Sequence, residues 1–416
     1  MKEISQTDNK EDAQSRPATR LWVVSEVYYP EETSTGYYLT AIAEGLASDF
    51  EIKVLCGQPN YSIRGTRARK HEIHENVEIF RAAGTTLNKN IILFRLINMF
   101  TLGAAMLYHG MRRFRRGDQV LVVTTPPVMP FIIALASLFK GSSYNLLIHD
   151  LYPEVLVAVG KASAGSVMVR TIDFFNRWLY KHARKIITVG RDMKQLVQNK
   201  SNGLEVPVHV IPNWAELERV RPDSRDNNQL IQELGLQNKL VILHAGNIGH
   251  PTDVETVIEG LRQLDDRFHF LFIGTGVKQR LLERAVAENG LTNLTLLDPL
   301  PRDQQSVFLN AADIGLVSLV NGMYGAAMPS KAYNLLAAAK PVLAITESGS
   351  ELAQVIDEEE IGWHVRSGDS SEFVSKLNDI YHQRSRFRDM GARARIAAEV
   401  KYSLAVALEK YRRVLN

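Results

Sequence analysis

Residues 322–351 read GMYGAAMPSKAYNLLAAAKPVLAITESGSE, a segment that combines small residues, one proline before each of two apolar runs, and a final Ser-Gly-Ser-Glu. A loop of small residues leads into a helix that begins near Ser330 and Lys331. A strand follows at once, and then a second helix start within residues Ser348–Glu351. Two helix N-termini are therefore predicted side by side at one edge of a sheet. The unpaired N–H groups of a helix N-terminus attract anions, and Lys331 adds a full charge. The same pattern also fits an ordinary helix start with a solvated lysine.

The length and composition of the chain predict a soluble protein of two domains. Its 416 residues are enough for two cores, and 45% hydrophobic with 23% charged residues excludes global disorder. Cys56 is the only cysteine, which excludes internal disulfides and thiolate metal sites and suits a reducing cytoplasm. Residues 1–19 are polar and lack the apolar core of a signal peptide, so we expect a disordered tail there.

The charge is divided unevenly between the two halves of the chain. Residues 1–200 hold 26 Lys and Arg against 18 Asp and Glu, and the remaining residues hold 23 against 28, so the halves carry +8 and −5. A basic first half could face anionic lipid or nucleic acid, although an excess of solvated basic side chains is equally common. Of the two partners, we retain the lipid surface as a candidate and expect no nucleic acid.

Short apolar runs alternate with helical patterns along nearly the whole chain. In these runs, apolar residues do not alternate with polar ones, and each run is followed by a helix. This pattern predicts parallel sheets with both faces covered by helices. We therefore predict an α/β fold of two doubly wound domains, residues 20–210 and 211–383, followed by helices in residues 384–416 that pack back across both. Ligands of such sheets bind at the carboxyl ends of the strands, which places the site in the cleft between the domains.

The segment Leu96–Arg116 differs from the rest of the first domain. The 16 residues from Leu96 to Met111 include no Lys, Arg, Asp or Glu, and four arginines follow directly. Such a stretch is shorter than the roughly 20 residues that a transmembrane helix needs. Three alternatives stay open: a buried crossover helix, an interfacial helix whose arginines meet lipid phosphates, and a true membrane span.

Two strand ends in the second domain carry small turns that contain glycine. One turn is Gly246-Asn247-Ile248-Gly249, and the other is Gly274-Thr275-Gly276, with Lys278 beside it. Glycine lets a ligand approach the backbone closely. Together with the loop before Lys331, these turns predict a site for a nucleotide diphosphate.

Motifs typical of one enzyme family occur in order along the chain. The first domain contains EVYYPEETSTGYY, TTPPVMP, LLIHDLYPEVLVAVG and ITVGRDM, and VIPNW follows at the linker. The second contains AGNIG, FIGTG, LLDPLP, AADIGLVSLV, PSKAYNLLAAAKPVLA and GSELAQVI. This set resembles the retaining glycosyltransferases of family 4, which have the GT-B fold of two Rossmann-like domains facing across a cleft. Within the family it is most similar to bacterial enzymes that build O-antigen, capsule and exopolysaccharide.

The resemblance implies that the second domain binds a nucleotide-sugar donor, usually UDP-linked, and that the first binds a glycan or polyprenyl-linked acceptor. The predicted donor-binding residues are Gly246, Asn247, Gly249, Gly274, Gly276, Lys278, Pro299, Leu300, Ser330, Lys331, Asn334 and Glu351. The predicted acceptor-binding residues are Glu32, Gly36 and His149, and the predicted catalytic residues are His149, Asp150 and Lys331. His149 would hydrogen-bond the sugar or the acceptor, with Asp150 orienting it.

The chain departs from the family pattern where charge is expected. Ala326 and Asn334 stand at the positions of the two glutamates of the family's Glu-x7-Glu motif, whose second member holds the ribose. Asn247 and Thr252 stand at the positions of the Arg and Lys that commonly clamp the diphosphate. We therefore assign neutralisation of the diphosphate chiefly to Lys331.

The resemblance implies transfer with retention of the anomeric configuration, in which the leaving phosphate helps to deprotonate the acceptor. The sequence has neither histidines paired at HExxH spacing nor an Asp-x-Asp motif, so we expect no metal and no cofactor besides the nucleotide-sugar co-substrate. The expected location is the cytoplasm, and a peripheral position on the inner face of the cytoplasmic membrane stays open. A nucleotide-sugar epimerase of the same fold and a non-catalytic nucleotide-sugar-binding scaffold stay open as alternatives. A dinucleotide-dependent oxidoreductase is poorly supported, because no strand-turn-helix carries a complete G-x-G-x-x-G.

Overall fold

The computed structural model describes residues 19–59, 67–87 and 91–416. The predicted tail, residues 1–19, lies outside the described residues except for Thr19. The described chain forms one sheet within residues 20–210 and a second sheet within residues 240–365. The exact domain boundaries predicted above stay predictions.

The first sheet and its helices are formed by the elements from β1 to β8. These are β1 (Arg20–Val24), α1 (Ser34–Gly45), β2 (Glu51–Cys56), β3 (His71–His74), β4 (Val77–Arg81), α2 (Ile92–Arg113), β5 (Gln119–Val123), α3 (Met129–Lys140), β6 (Ser143–Ile148), α4 (Glu154–Ala158), α5 (Val167–His182), β7 (Lys185–Thr188), α6 (Arg191–Lys200) and β8 (Val208–Val210).

The second sheet and its helices are formed by the elements from α7 onward. These are α7 (Gln229–Glu233), β9 (Leu240–Ala245), α8 (Val254–Leu261), β10 (Phe268–Ile273), α9 (Gln279–Asn289), β11 (Leu294–Leu297), α10 (Gln305–Asn310), β12 (Ile314–Ser318), α11 (Lys331–Ala337), β13 (Val342–Ile345), α12 (Glu351–Glu359), β14 (Gly362–Val365) and α13 (Ser370–His382). The helices α14 (Phe387–Val400) and α15 (Leu404–Leu415) end the chain.

The strand order of each sheet is that of a doubly wound fold. The first sheet has the order β3-β4-β2-β1-β5-β6-β7-β8, and the second has the order β11-β10-β9-β12-β13-β14. Neighbouring strands are parallel except for β3 and β4, which form an antiparallel pair. The winding changes direction at β1 and at β9, and the crevice beside such a point is where doubly wound sheets bind ligands. The predicted fold class is confirmed.

Apolar side chains cover both faces of the first sheet, which explains why its strands show no polar alternation. All residues of β5, QVLVV, are buried. Helices α2, α3 and α5 contribute to the core on one face, and α1 and α15 contribute to the core on the other. The side chain of Leu408 in α15 occupies the space where a Cβ of Gly45 would lie. The end of the chain therefore returns to the first sheet.

Hydrogen bonds join the two domains beside the cleft. Leu151 N, after β6, donates to the carbonyl of Ala326 at 2.8 Å. The hydroxyl oxygens of Ser34 and Ser330 lie 2.9 Å apart across the same boundary. The loop before α11 is thus held against the first domain.

The N-terminus of α12 is occupied by a carboxylate of the protein itself. Asp192 is buried, and it accepts hydrogen bonds from Gly325 N at 3.1 Å and from Glu351 N at 2.9 Å. The sequence pattern predicted an anion at this helix start. The structure corrects its identity, because the anion is a side chain of the first domain and not a ligand.

Helix α2 is a packed crossover helix with one exposed apolar face. Leu102 and Met106 are buried, and Ile132 of α3 fills the space beside Gly103. Phe100, in contrast, is 78% exposed. Among the helices of the described ranges, none has the length and apolar character needed to span a membrane.

Candidate active site

A cleft of about 870 Å³ lies between the two domains, at the carboxyl ends of the strands of the second sheet. Of the predicted donor-binding residues, its lining includes Gly246, Asn247, Gly274, Pro299, Leu300, Ser330, Lys331 and Asn334. From the first domain it includes the predicted residue Glu32, the helix-capping residue Thr33, and Ser34 and Thr35 at the start of α1. The sequence therefore located most of one wall of the cleft.

Two glycine turns after β9 and β10 present bare backbone to the cleft. Gly246 has a φ of 131° and Gly274 a φ of 147°, values that side chains disfavour. A Cβ at Gly274 would lie 2.0 Å from the carbonyl oxygen of Gly246, so the two turns touch. Ile248 N donates to Thr275 O at 3.0 Å and fixes the turns to each other. A ligand can approach this backbone closely.

Lys331 places its ammonium group against a neutral imidazole. Its Nζ lies 2.9 Å from Nε2 of His244, at the end of β9, and a Cβ on Gly246 would be 3.6 Å from the same Nζ. Burial lowers the pKa of Lys331 to about 7. Burial, and then the charge of Lys331, hold the pKa of His244 well below its usual value, so the imidazole accepts the hydrogen bond without a charge. An anion in the cleft would supply the partner that restores the charge of Lys331.

Glu216, which follows β8 in the segment between the domains, brings a carboxylate to Asn334. Nδ2 of Asn334 donates to Oε1 of Glu216 at 2.9 Å, and the backbone N–H of Glu216 donates to Oδ1 of Asn334 at 3.1 Å. Glu216 is buried and lies on the lining of the cleft. Residue 334 is an asparagine and not a glutamate, but the carboxylate of Glu216 lies beside it. Sequence reasoning missed Glu216, although it lies only two residues after the end of the VIPNW motif at Trp214.

Arg302 is a second residue that sequence reasoning missed. It lies in a turn of 3-10 helix after Pro299 and Leu300, and its Nη2 donates to Oε1 of Glu216 at 2.6 Å. Its Nη1 donates to the carbonyl of Glu32 at 2.8 Å, and its guanidinium lies 4.3 Å from the ring centroid of Tyr37. Arg302 therefore links the donor side of the cleft to the loop of the first domain. The signal available in the sequence was its position directly after LLDPLP.

His149 and Asp150 lie at the boundary between the domains but do not line the cleft described above. Asp150 forms an antiparallel bridge with Ala327. Burial lowers the pKa of His149 to about 4 and raises the pKa of Asp150 to about 6. Nε2 of His149 is buried without a hydrogen-bond partner among the described residues. The predicted orienting contact between the two side chains is therefore not made in this structure.

Two predicted donor-binding side chains are engaged elsewhere. Nζ of Lys278 donates to Thr252 O and to Oε2 of Glu255, both at 2.8 Å. Glu351 is buried and accepts hydrogen bonds from the backbone N–H and the Nε of Arg191, at 2.7 and 2.9 Å. Neither side chain lines the cleft. Lys278 was predicted from its position beside a glycine turn, and Glu351 from its place at a helix start in the GSELAQVI motif. In the structure, Lys278 is bound by Glu255 and a backbone carbonyl, and Glu351 is bound by Arg191.

Three predicted glycines shape turns without lining the cleft. A Cβ at Gly276 would lie 2.2 Å from the carbonyl oxygen of Ile248, and one at Gly249 would lie 2.9 Å from the side chain of Asn247. Gly36 lies in the first turn of α1, where a Cβ would be 2.5 Å from the carbonyl oxygen of Glu31, so a side chain does not fit there. Within the described ranges, no group of three or more His, Cys, Asp or Glu residues is arranged to hold a metal ion.

Two doubly wound domains that enclose a cleft of this kind define the GT-B fold. Residues 34–214 match the family model described as glycosyl transferase 4-like domain, and residues 226–397 match the model described as glycosyl transferases group 1. The chain belongs to the GT-B glycosyltransferases of the family 4 type, and it is an enzyme. The resemblance stated from the motifs is confirmed.

Relatives match nearly the whole chain. "Probable glycosyltransferase WbjE" of Pseudomonas aeruginosa is 29% identical over 396 residues, which cover 94% of this chain and 96% of the relative. WcaI of Escherichia coli strain K12, a glycosyltransferase named for colanic acid biosynthesis, is 27% identical over 343 residues, 79% of this chain and 84% of the relative. The structure of Anabaena HepE in complex with UDP and glucose has a TM-score of 0.71 at 13% identity, with 95% of this chain and 99% of HepE covered. This last likeness shows the fold.

We predict that UDP binds more weakly as the pH rises above about 7, where Lys331 of the free protein loses its proton. A bound diphosphate raises the pKa of the ammonium again, so binding takes up a proton. The dissociation constant should rise by up to about tenfold per pH unit until the pKa of the complex is reached. Isothermal titration calorimetry in buffers of different ionisation enthalpy measures both the affinity and the proton uptake.

Lys331→Arg is the matched variant for this prediction, because a guanidinium keeps its charge throughout this pH range. Its affinity for UDP should not change with pH above neutrality. Lys278→Arg changes a lysine outside the cleft, and its affinity for UDP should depend on pH as that of the wild type does. Proton uptake that persists in Lys331→Arg would show that another group titrates.

Proposed function

We propose that this enzyme transfers a sugar, with retention of the anomeric configuration, from a UDP-sugar to a hydroxyl group of a glycan or lipid-linked glycan during synthesis of a bacterial surface polysaccharide. The observation that carries the proposal is the ammonium of Lys331, which lies beside bare glycine turns in the cleft and has a neutral hydrogen-bond partner. Two similar proteins support it, because HepE was solved with UDP and glucose and WcaI is named for colanic acid biosynthesis.

In the proposed donor complex, the diphosphate lies against Gly246, Gly274 and Nζ of Lys331. The glycines leave their backbone open to the phosphate oxygens. The diphosphate gives the ammonium the negative partner that His244 does not provide, and such charge-assisted hydrogen bonds are the stronger kind. Pro299, on the lining of the same cleft, offers an apolar surface to the base.

In the proposed reaction, the bond between the anomeric carbon and the β-phosphate oxygen breaks, and its electron pair goes to that oxygen. The acceptor oxygen bonds to the same face of the anomeric carbon, and its proton passes to the leaving phosphate. Negative charge on the leaving group increases during this step, so the fixed positive charge of Lys331 stabilises the transition state. The products are UDP and a glycoside of unchanged anomeric configuration.

We propose that the acceptor enters between the loop that contains Glu32 and the end of β6 at His149. The low pKa of His149 leaves its imidazole neutral near pH 7. Its Nε2, which is without a partner in the described structure, can then exchange a hydrogen bond with a hydroxyl of the sugar or of the acceptor. Reaching this atom requires a small movement at the boundary between the domains.

Replacement of Lys331 by Met should slow sugar transfer by about 10²–10³-fold, the usual cost of removing one group that stabilises developing charge. Transfer is measured with labelled UDP-sugars and the lipid-linked glycan pool of the source cells, and proton NMR of the product gives the anomeric configuration. Lys278→Met is the control and should retain near wild-type rates. An inverted product would contradict retention, and nucleotide-sugar turnover without any acceptor would favour an epimerase.

Glu216 is proposed to hold the ribose hydroxyls, together with Asn334. Glu216→Gln removes a charged hydrogen-bond acceptor and should weaken UDP binding by about 1.5–3 kcal/mol. The decisive comparison uses UDP and its 2′-deoxy and 3′-deoxy analogues. The binding free energy lost on Glu216→Gln should be smaller for the analogue that lacks the hydroxyl contacted by Glu216. Glu255→Gln, outside the cleft, is the matched control. Equal losses for all three nucleotides would show that Glu216 acts only through Arg302 and Asn334.

A further inference from the structure

The loop between β1 and α1, residues 25–33, is held within the first domain by a buried arginine. Nη2 of Arg81, at the end of β4, donates to the carbonyl of Tyr29 at 2.7 Å, and the Arg81 side chain is fully buried. Nη1 of Arg81 donates to the carbonyl of Arg69 at 2.8 Å, and Tyr29 N donates to the hydroxyl of Thr40 in α1 at 3.1 Å. The first half of the β1–α1 loop is therefore fixed to the first domain.

The second half of the β1–α1 loop, which reaches the cleft, is contacted from the second domain. Nη1 of Arg302 donates to the carbonyl of Glu32 at 2.8 Å, and the guanidinium of Arg302 lies 4.3 Å from the ring centroid of Tyr37. Directly after the loop, the hydroxyl oxygens of Ser34 and Ser330 lie 2.9 Å apart. Glu32 lines the cleft on the side where we propose that the acceptor enters. Arg302 therefore brings a charged contact from the donor side to the acceptor side.

The guanidinium that binds the carbonyl of Glu32 is also bound to Glu216. Nη2 of Arg302 donates to Oε1 of Glu216 at 2.6 Å, and Nε donates to Oε2 at 3.3 Å. Oε1 also accepts from Nδ2 of Asn334 at 2.9 Å, so this oxygen already has two short hydrogen bonds. Among the described residues, Oε2 has only the long contact with Arg302 and one with Nε of Arg219 at 3.9 Å. A carboxylate oxygen accepts about two hydrogen bonds, so Oε2 is the oxygen that can take a ribose hydroxyl.

We propose that Arg302 is a positioning residue for the acceptor substrate: it holds the β1–α1 loop at the cleft, and a nucleotide bound at Glu216 makes this contact more stable. The inference rests on the proposed binding of the ribose by Glu216. A hydroxyl on Oε2 restricts the carboxylate further, and with it the guanidinium of Arg302 and the carbonyl of Glu32. Coupling between two binding sites is reciprocal, so an acceptor bound by the loop strengthens nucleotide binding by the same factor.

Hydrogen exchange of the full chain, measured by mass spectrometry with and without saturating UDP, tests the inference. In the wild type, UDP should slow exchange at least about fivefold in peptides that cover residues 30–38, the lower end of usual couplings between sites. Exchange at the turns of Gly246 and Gly274 should slow as well, because the diphosphate covers them. In Arg302→Met, at a UDP concentration that again saturates the protein, the turns should still be protected and the loop should not.

Two control variants separate this coupling from a general loosening of the loop. Arg219→Met removes the other arginine beside Glu216, and its loop should respond to UDP as that of the wild type does. Thr40→Val removes a contact between the loop and the first domain. Its loop should exchange faster both with and without UDP, while UDP still slows the exchange. Thermal melting shows whether each variant is folded.

Sugar transfer provides an independent measurement of the same coupling. With saturating labelled UDP-sugar and increasing amounts of the lipid-linked glycan pool, Arg302→Met should need at least about fivefold more acceptor than the wild type for its half-maximal rate. Arg219→Met should need the same amount as the wild type. A variant Arg302→Met that loses maximal rate with an unchanged half-saturating amount of acceptor would contradict a positioning role for this residue.

The inference is also overturned if UDP binds to the wild type but leaves exchange of the loop unchanged or faster, or if Arg302→Met keeps the slowing. Calorimetry of UDP binding to the wild type distinguishes this outcome from failure of the proposed function. A protein that binds UDP without the effect on the loop overturns only this inference. A folded protein that does not bind UDP overturns both.

Discussion

A partly buried ammonium group beside a neutral imidazole is the interaction on which the rest of the site depends. Removing a charge from water is costly, and here the cost appears as a pKa of about 7 for Lys331. His244 cannot share the charge, because it is buried at the end of β9 and stacked on Phe272 with ring centroids 5.0 Å apart. The backbone of Gly246 lies beside the same ammonium group, because a Cβ at this position would be 3.6 Å from Nζ of Lys331. The free protein therefore holds a destabilised cation, which a bound anion stabilises.

The first domain takes part in positioning these donor-side groups. Arg302 joins Glu216 to the carbonyl of Glu32, and the buried Asp192 holds the loop at Gly325. The residues that make the contacts between the domains therefore line the cleft themselves or lie next to residues that line it. A change in the angle between the domains would alter the donor site directly. Binding of a nucleotide and closure of the cleft are thus expected to be coupled.

The sequence predicted features that depend on local pattern and missed those that depend on distant partners. The parallel strands were visible because both sheet faces are buried, whereas the pair β3 and β4 was missed because it is short and rich in charge. Lys331 and the glycine turns follow from positions near strand ends. Lys278 and Glu351 satisfied the same local rule, but Glu255 and Arg191 engage them. Glu216 reaches the cleft from the segment between the domains, and no rule based on spacing within one domain can find such a residue.

A crystal structure of the protein with bound UDP would show whether Lys331 holds the diphosphate. We expect a β-phosphate oxygen within hydrogen-bond distance of Nζ of Lys331, with the glycine turns against the diphosphate and the ribose hydroxyls directed at Glu216 and Asn334. A nucleotide bound outside the cleft would contradict this expectation. So would a diphosphate that leaves the contact between Lys331 and His244 unchanged and makes no contact with the ammonium.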